Sequence, residues 1–449
     1  MNTRRHILQS TSTGFGWLAF NALHQQWASA AAPPKTINPL APKPPHFAPK
    51  AKRVIFMFMQ GGPSHLDTFD WKPELAKAEE NKVSKYMGSA FEFKPRGNSG
   101  LMISEAFPEL SKHADDLCIL NGMQTRTNAH QMATVALHIG SETFVRPSMG
   151  AWVVYGLGTE AEDLPGFVTI NPAADNGGAM NYGSAFLPAS FQGTRLSSGG
   201  GGVPDLSNGR LGNMQQLKQI EFIQKANRRL LAGDPGNPEI EGIIQSYELA
   251  YKMQTSVPEV LDLDKEPQHI RDLYGLDNGD TERFGTQCLM ARRMAEKGVR
   301  FIQLTSGGWD HHNNLREGLG RQCASIDKPI AGLIQDLKQR DMLKDTLILW
   351  GGEFGRGSGY DNEPYNGRGH NGGGYTMWMA GGGVKGGFKH GSTNEMGDTA
   401  ETGIIGTHDL HATVLHLLGL NHERLTYRYA GRNFRLTDVA GVVAKDILA

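Results

Sequence analysis

The sequence predicts an α/β fold, a mainly parallel central sheet with helices on both faces. Three observations carry this. Short apolar runs stop abruptly at glycine and polar residues, as in Thr346-Leu347-Ile348-Leu349-Trp350 before Gly351-Gly352. Helical patterns alternate with these runs from residue 53 to the C-terminus, which is the signature of crossover units in a parallel sheet. The runs are apolar throughout instead of alternating, as strands covered on both faces must be.

The strands beginning near Arg53, Leu117, Val299, Thr346 and Tyr375 are expected in this sheet, with their glycine-rich ends meeting on one edge, and Phe167–Ile170 reads as a further strand. Arg53–Met59 ends in Gln60-Gly61-Gly62-Pro63-Ser64-His65-Leu66-Asp67, a loop that offers Ser64, His65, Asp67 and Asp70 as ligands, with Asp70 equally suited to cap the helix that begins near Lys72-Pro73. Leu117–Leu120 leads through Thr125-Arg126-Thr127-Asn128-Ala129-His130 into a helix stopped by Gly140. Ser148 stands at the start of the next helix. Residues 171–207 are rich in Gly and Ser without a period, which suits a lid or binding loop. Residues 211–270 turn to long polar helical patterns and read as a helical insertion. Val299–Leu304 precedes Gly307-Gly308-Trp309-Asp310-His311-His312, and a helix is expected over Ser325–Gln339. The Thr346 run delivers Glu353 and Arg356 onto a loop that later presents Arg368-Gly369-His370. Thr407-His408-Asp409 opens a last apolar helix, where His408 and His411 suit packing and capping.

The bulk composition narrows the function. Lys+Arg total 45 against Asp+Glu 46, so there is no basic field for nucleic acid and no acidic tail. The 57 glycines exceed the usual ~7% and argue for many close-packed loops. Three cysteines, Cys118, Cys288 and Cys323, form no CxxC pair, so buried free thiols are expected. Residues 1–30 read as a twin-arginine signal peptide, with Arg4-Arg5, a modest apolar region and Ala28-Ser29-Ala30 for cleavage. That apolar part is too short to span a bilayer, so no stable transmembrane segment is expected after cleavage. The destination is periplasmic or secreted. Residues 31–52 read as a proline-rich tether and residues 53–449 as the α/β domain.

Ligands in open α/β sheets bind outside the carboxyl ends of strands. Three such ends pair carboxylates with imidazoles: Asp67 with His65, Asp310 with His312, and Glu353 with His370. Asp67, Asp310, His312, Glu353 and His370 are the candidate metal ligands. Mixed His/carboxylate sets suit zinc, manganese or iron, and carboxylate-rich ones suit magnesium or calcium.

The motifs Gly61–Asp70, Gly308–His312, Gly352–Arg356 and Gly367–His370, with the Ala380–Gly387 turn and the Asp409–Gly419 helix, resemble the exported family called domain of unknown function 1501. That family is similar to the alkaline phosphatase and sulfatase superfamily. The resemblance implies an alkaline phosphatase-like fold and a divalent metal (zinc, calcium, magnesium or manganese). It also implies hydrolysis of a phosphate or sulfate ester carried by a small molecule or a polysaccharide. It further implies a nucleophile in the loop after the second strand, where Thr127 matches best, with Asn128, His130 and Arg356 as further catalytic groups and Arg356 or Arg126 holding the anion. Ser148 and metal-bound water compete with Thr127. Two departures stand out: no Cys-x-Pro-x-Arg signature surrounds Thr127, and Glu353-Phe354 replaces an adjacent Asp-His pair. An alternative is therefore a non-catalytic exported binding protein that retains the fold.

Overall fold

The computed structural model describes residues 38–81, 85–199, 212–235, 237–361 and 366–449. The signal peptide and the first part of the tether lie outside the described residues. So do three of the four glycines at 199–202.

Nine strands form the main sheet: β1 Arg53–Met59, β2 Leu117–Gln124, β3 Phe167–Ile170, β4 Thr194–Leu196, β5 Phe301–Ser306, β6 Thr346–Gly351, β7 Tyr375–Ala380, β8 Phe388–His390 and β9 Ile405–Gly406. Their spatial order is β8-β2-β7-β6-β1-β5-β3-β4, with β9 also paired to β2. All pairings are parallel except those of β7, which runs antiparallel to both β2 and β6.

The sheet is covered on both faces, which is why its strands are apolar without interruption. In β1, Ile55, Met57 and Met59 face a core shared with α7 Glu282–Glu296 and α8 Leu315–Gln339. Val54, Phe56 and Phe58 face the opposite core, shared with α3 Met149–Leu157 and α9 Thr407–Leu417. The remaining helices are α1 Pro73–Glu80, α2 His130–Ile139, the long pair α4 Asn213–Gly233 and α5 Pro238–Leu261, and the short α6 Gln268–Tyr274. Among the described residues no helix is long and apolar enough to cross a membrane.

Several local outcomes depart from the sequence expectation. β7 enters the sheet from the edge where β1, β2, β5 and β6 end. Its glycines Gly381 and Gly382 therefore sit at the other edge, against Leu343 and Leu347. Within the expected loop at 171–207, the described residues 171–199 contribute the edge strand β4, and the rest of that stretch lies outside the described residues. Helix α8 begins ten residues early, at Leu315. Asp70 does not cap α1, whose N-cap is Lys72; it pairs with Lys72 at 3.2 Å and accepts from Thr393. The described end of the tether is fastened to the domain, since Lys43 N–H bonds to Leu157 O (2.8 Å) and Lys50 and Ala51 bond to Leu417 O.

Two buried histidines tie α2 to the sheet and to α9. His138 in α2 donates from Nδ1 to Thr134 O at 2.8 Å, and its Nε2 accepts from the Gln303 amide at 3.1 Å. The ring lies edge-on to Phe58, with centroids 4.6 Å apart. His411 in α9 bonds through Nε2 to Leu137 O at 2.7 Å. Burial pushes His138 down to about 4 and His411 down to about 3.

A pH dependence follows. Between pH 6.5 and about 4 the unfolded chain binds these protons and the folded chain does not, so stability rises with pH across that window and is lost as pH falls. Each histidine contributes about 1.4 kcal/mol per pH unit there. Denaturant unfolding at pH 7, 6 and 5 should show this decline. A flat profile over that range would contradict the two neutral, buried rings.

Candidate metal centre

Four strand-end loops meet on one edge of the sheet, and a buried guanidinium joins three of them. Arg356, fully buried, donates from Nε to Gly62 O (2.9 Å) and from Nη1 to Arg368 O (3.0 Å). Its Nη2 bonds to Gly61 O and to Asp310 Oδ1. The β1 end approaches the β5 end so closely that a Cβ on Gly61, at φ +119°, would stand 2.7 Å from the Asp310 amide nitrogen. Gly355–Arg356 also pairs antiparallel with His370–Asn371, which brings His370 back over the same edge.

Three imidazoles converge on the Asp310 carboxylate. His312 Nε2 lies 2.8 Å and His370 Nε2 3.2 Å from Oδ1, and His130 Nε2 lies 3.3 Å from Oδ2. Each ring is held from behind through Nδ1. His130 Nδ1 bonds to Glu353 Oε1 at 2.6 Å, His370 Nδ1 to Asn128 O at 2.8 Å, and His312 Nδ1 to Asp361 Oδ2. Carboxylates and carbonyls only accept, so in the neutral rings Nδ1 carries the hydrogen and the Nε2 lone pair points inward. Glu353 is itself fixed, accepting the Gly61 amide at 3.1 Å.

This arrangement fits a cation. His312 Nε2 and His370 Nε2 are only 2.9 Å apart, two lone pairs facing each other. His130 Nε2 is buried without an aligned hydrogen bond. The ligand atoms of His130, Asp310 and His370 all lie within 4.8 Å of one another. Imidazoles held through Nδ1 by carboxylate or carbonyl partners are the usual surroundings of a bound metal. A set of three imidazoles and one carboxylate suits zinc, manganese or iron better than magnesium or calcium.

Electrostatics agree with the geometry. Burial opposes the Asp310 charge, but the adjoining His130 and His370 imidazoles and the Arg356 guanidinium hold its carboxyl well below the usual range. Burial works to lower His130, yet the adjoining Asp310 and Glu353 carboxylates push it up to about 9. The centre draws positive charge.

The expected site residues divide into three groups. Asp310, His312 and His370 come together as expected, joined by His130, which the sequence placed among the catalytic groups. Glu353, expected as a ligand, stands behind His130. Asp67, also expected as a ligand, is fully buried and engaged elsewhere: Arg368 bonds it at 2.8 and 3.2 Å, Ala90 N–H at 2.7 Å, and Ser64 through its hydroxyl. Arg356, expected to hold an anion, has its donors taken by carbonyls and Asp310. Thr127 is half-buried, and its Oγ1 accepts the Ala129 amide at 3.1 Å. Asn128 ties this loop to the centre twice, by its carbonyl on His370 and by Oδ1 on the Gly372 amide at 2.6 Å. Ser148 is buried and bonds to Gly183 O at 3.0 Å. His408 bonds to Gly140 O at 2.9 Å and, like His411, serves packing. Asp361 was not singled out from sequence; nothing distinguishes it within a polar loop until the fold sets it behind His312.

Removing the Arg368 guanidinium would leave Asp67 charged, buried and uncompensated, which costs about 3–5 kcal/mol in known pairs. Arg368→Met should lower unfolding free energy by that amount in denaturant titrations. A loss below about 1 kcal/mol would show that this pair is not what ties the β1 end to the 366–370 loop.

Residues 51–448 match the model of a family described as "Protein of unknown function (DUF1501)". No curated protein matches. Among solved structures, a sulfatase from Pseudoalteromonas sp. aligns at 13% identity and TM-score 0.39, covering 89% of this chain and 72% of that one. The lipoteichoic acid synthase LtaP of Listeria monocytogenes aligns at 10% and 0.37, covering 93% and 82%. The alkaline phosphatase of the Antarctic bacterium TAB5 aligns at 10% and 0.36, covering 83% and 99%. Likeness at this level carries no correspondence between site residues.

Proposed function

Since this chain belongs to the DUF1501 family through residues 51–448, whose activity its description leaves open, we propose a function from the site itself: an exported, metal-dependent hydrolase of phosphate or sulfate esters. The convergence of His130, His312 and His370 on Asp310 carries this reading. The twin-arginine pattern at Arg4-Arg5 supports export to the periplasm or beyond.

A divalent metal held by these four residues would supply Lewis acidity to the ester and lower the pKa of a nearby hydroxyl. Glu353, Asp361 and the Asn128 carbonyl keep the three rings aimed inward and fix their tautomers. Thr127 is the nucleophile in this reading. Its loop is pinned to the centre by Asn128, and its oxygen accepts the Ala129 amide, leaving its O–H free to be deprotonated. Its Oγ attacks phosphorus or sulfur as the bond to the ester's alkoxide breaks; the alkoxide takes up the proton Thr127 gives up and leaves as the alcohol, and water then cleaves the Thr127 ester, releasing the oxyanion and restoring the hydroxyl. Arg356 shapes the edge without touching substrate, which leaves the anion to cations outside the buried hub.

Thr127→Ala should lower turnover of an aryl phosphate or sulfate ester at least ~10³-fold while bound metal stays unchanged. Thr127→Ser should retain part of the activity. Turnover like wild type in Thr127→Ala would overturn the assignment of the nucleophile.

A further inference from the structure

Beside the centre lies a cavity of about 390 Å³ that has Asp310 in its wall. Its other side chains come from the β5 end and the start of α8: His311, Asn313, Asn314, Arg321 and Gln322. Two glycines allow this shape. A Cβ on Gly308, at φ +91°, would meet the Gln322 amide at 2.1 Å, and one on Gly318 would meet the His311 ring at 2.4 Å. Gln322 is thereby seated against the β5 end, donating to Gly307 O at 2.7 Å.

Arg321 differs from the arginines that brace this edge. Arg356 and Arg368 are buried and saturated by carbonyls and carboxylates. Arg316 bonds to Ala90 O and lies over the Phe91 ring at 5.5 Å. Arg321 is exposed, lines the cavity and has no hydrogen-bond or ion-pair partner among the described residues. An unengaged guanidinium in a cavity that reaches a metal-ligating carboxylate suits a planar, bidentate grip on a charged oxyanion.

We infer that this cavity receives the charged end of the substrate and that Arg321 binds its free oxygens, selecting an anionic phosphate or sulfate ester over a neutral one. The inference rests on the hydrolase reading above and names the specificity residue of that same site. Losing a charge-assisted, bidentate contact weakens binding about 10- to 100-fold.

The test is equilibrium binding of inorganic phosphate and of inorganic sulfate to the full, metal-loaded chain by calorimetry, read without turnover. Arg321→Gln should weaken phosphate or sulfate binding 10- to 100-fold with metal content unchanged. Arg321→Lys should recover part of the loss, as a point charge without the fork. Wild-type affinity in Arg321→Gln, or the loss appearing in Arg126→Gln instead, overturns the inference. So does a metal-loaded wild type that binds neither anion. A wild type that binds phosphate through Arg321 but hydrolyses no ester overturns the hydrolase reading and supports this one.

Discussion

The Arg356 guanidinium is the contact on which this edge of the molecule depends. Glycine-rich strand ends have little side-chain packing of their own, and their carbonyls would otherwise face a water-poor interior. One cation satisfies carbonyls from the β1 end and from the loop carrying Arg368, and pairs with Asp310 from the β5 end. Arg356 is buried but the Asp310 side chain is 42% exposed, so water screens the pair and its net contribution to stability is small. Its consequence here is positional. Asp310 is held at the crossing point of three loops, and the imidazoles find it there.

The same logic extends to two carboxylates beside the centre. Glu353 and Asp361 stand one step back and accept Nδ1–H from His130 and His312. That role orients the rings and raises their basicity, which is what a ligand imidazole requires. The field that pushes His130 up to about 9 is the field that would hold a cation at this point. Asp67, by contrast, is committed to Arg368 and braces the β1 loop from beneath.

Much of this was legible in the sequence, and the reasons are local. A strand buried on both faces reads as an unbroken apolar run, so β1, β2, β5 and β6 stood out, as did the polar residues at their ends. Strand direction is not local: β7 has the same composition as its neighbours yet runs the other way, and only the pairing with β2 and β6 reveals it. The edge strand β4 has three residues and little apolar signal. At the site, Asp310, His312 and His370 were visible as residue types that bind metals. Which of the expected carboxylates meets the imidazoles directly was not, because Asp67 and Glu353 differ from Asp310 only in what lies next to them. Arg368 sits 301 positions from Asp67, and Glu353 sits 223 from His130. Burial and partnership over such separations belong to the fold and leave no mark on either segment.

The account stands on a single cation site built from His130, His312, His370 and Asp310. Elemental analysis of the purified chain, prepared without added chelator, tests that directly. The account predicts one equivalent of a transition metal such as zinc, manganese or iron per chain, lost in His370→Ala and retained in His411→Ala. A chain free of metal, or one whose metal survives the loss of His370, would contradict it.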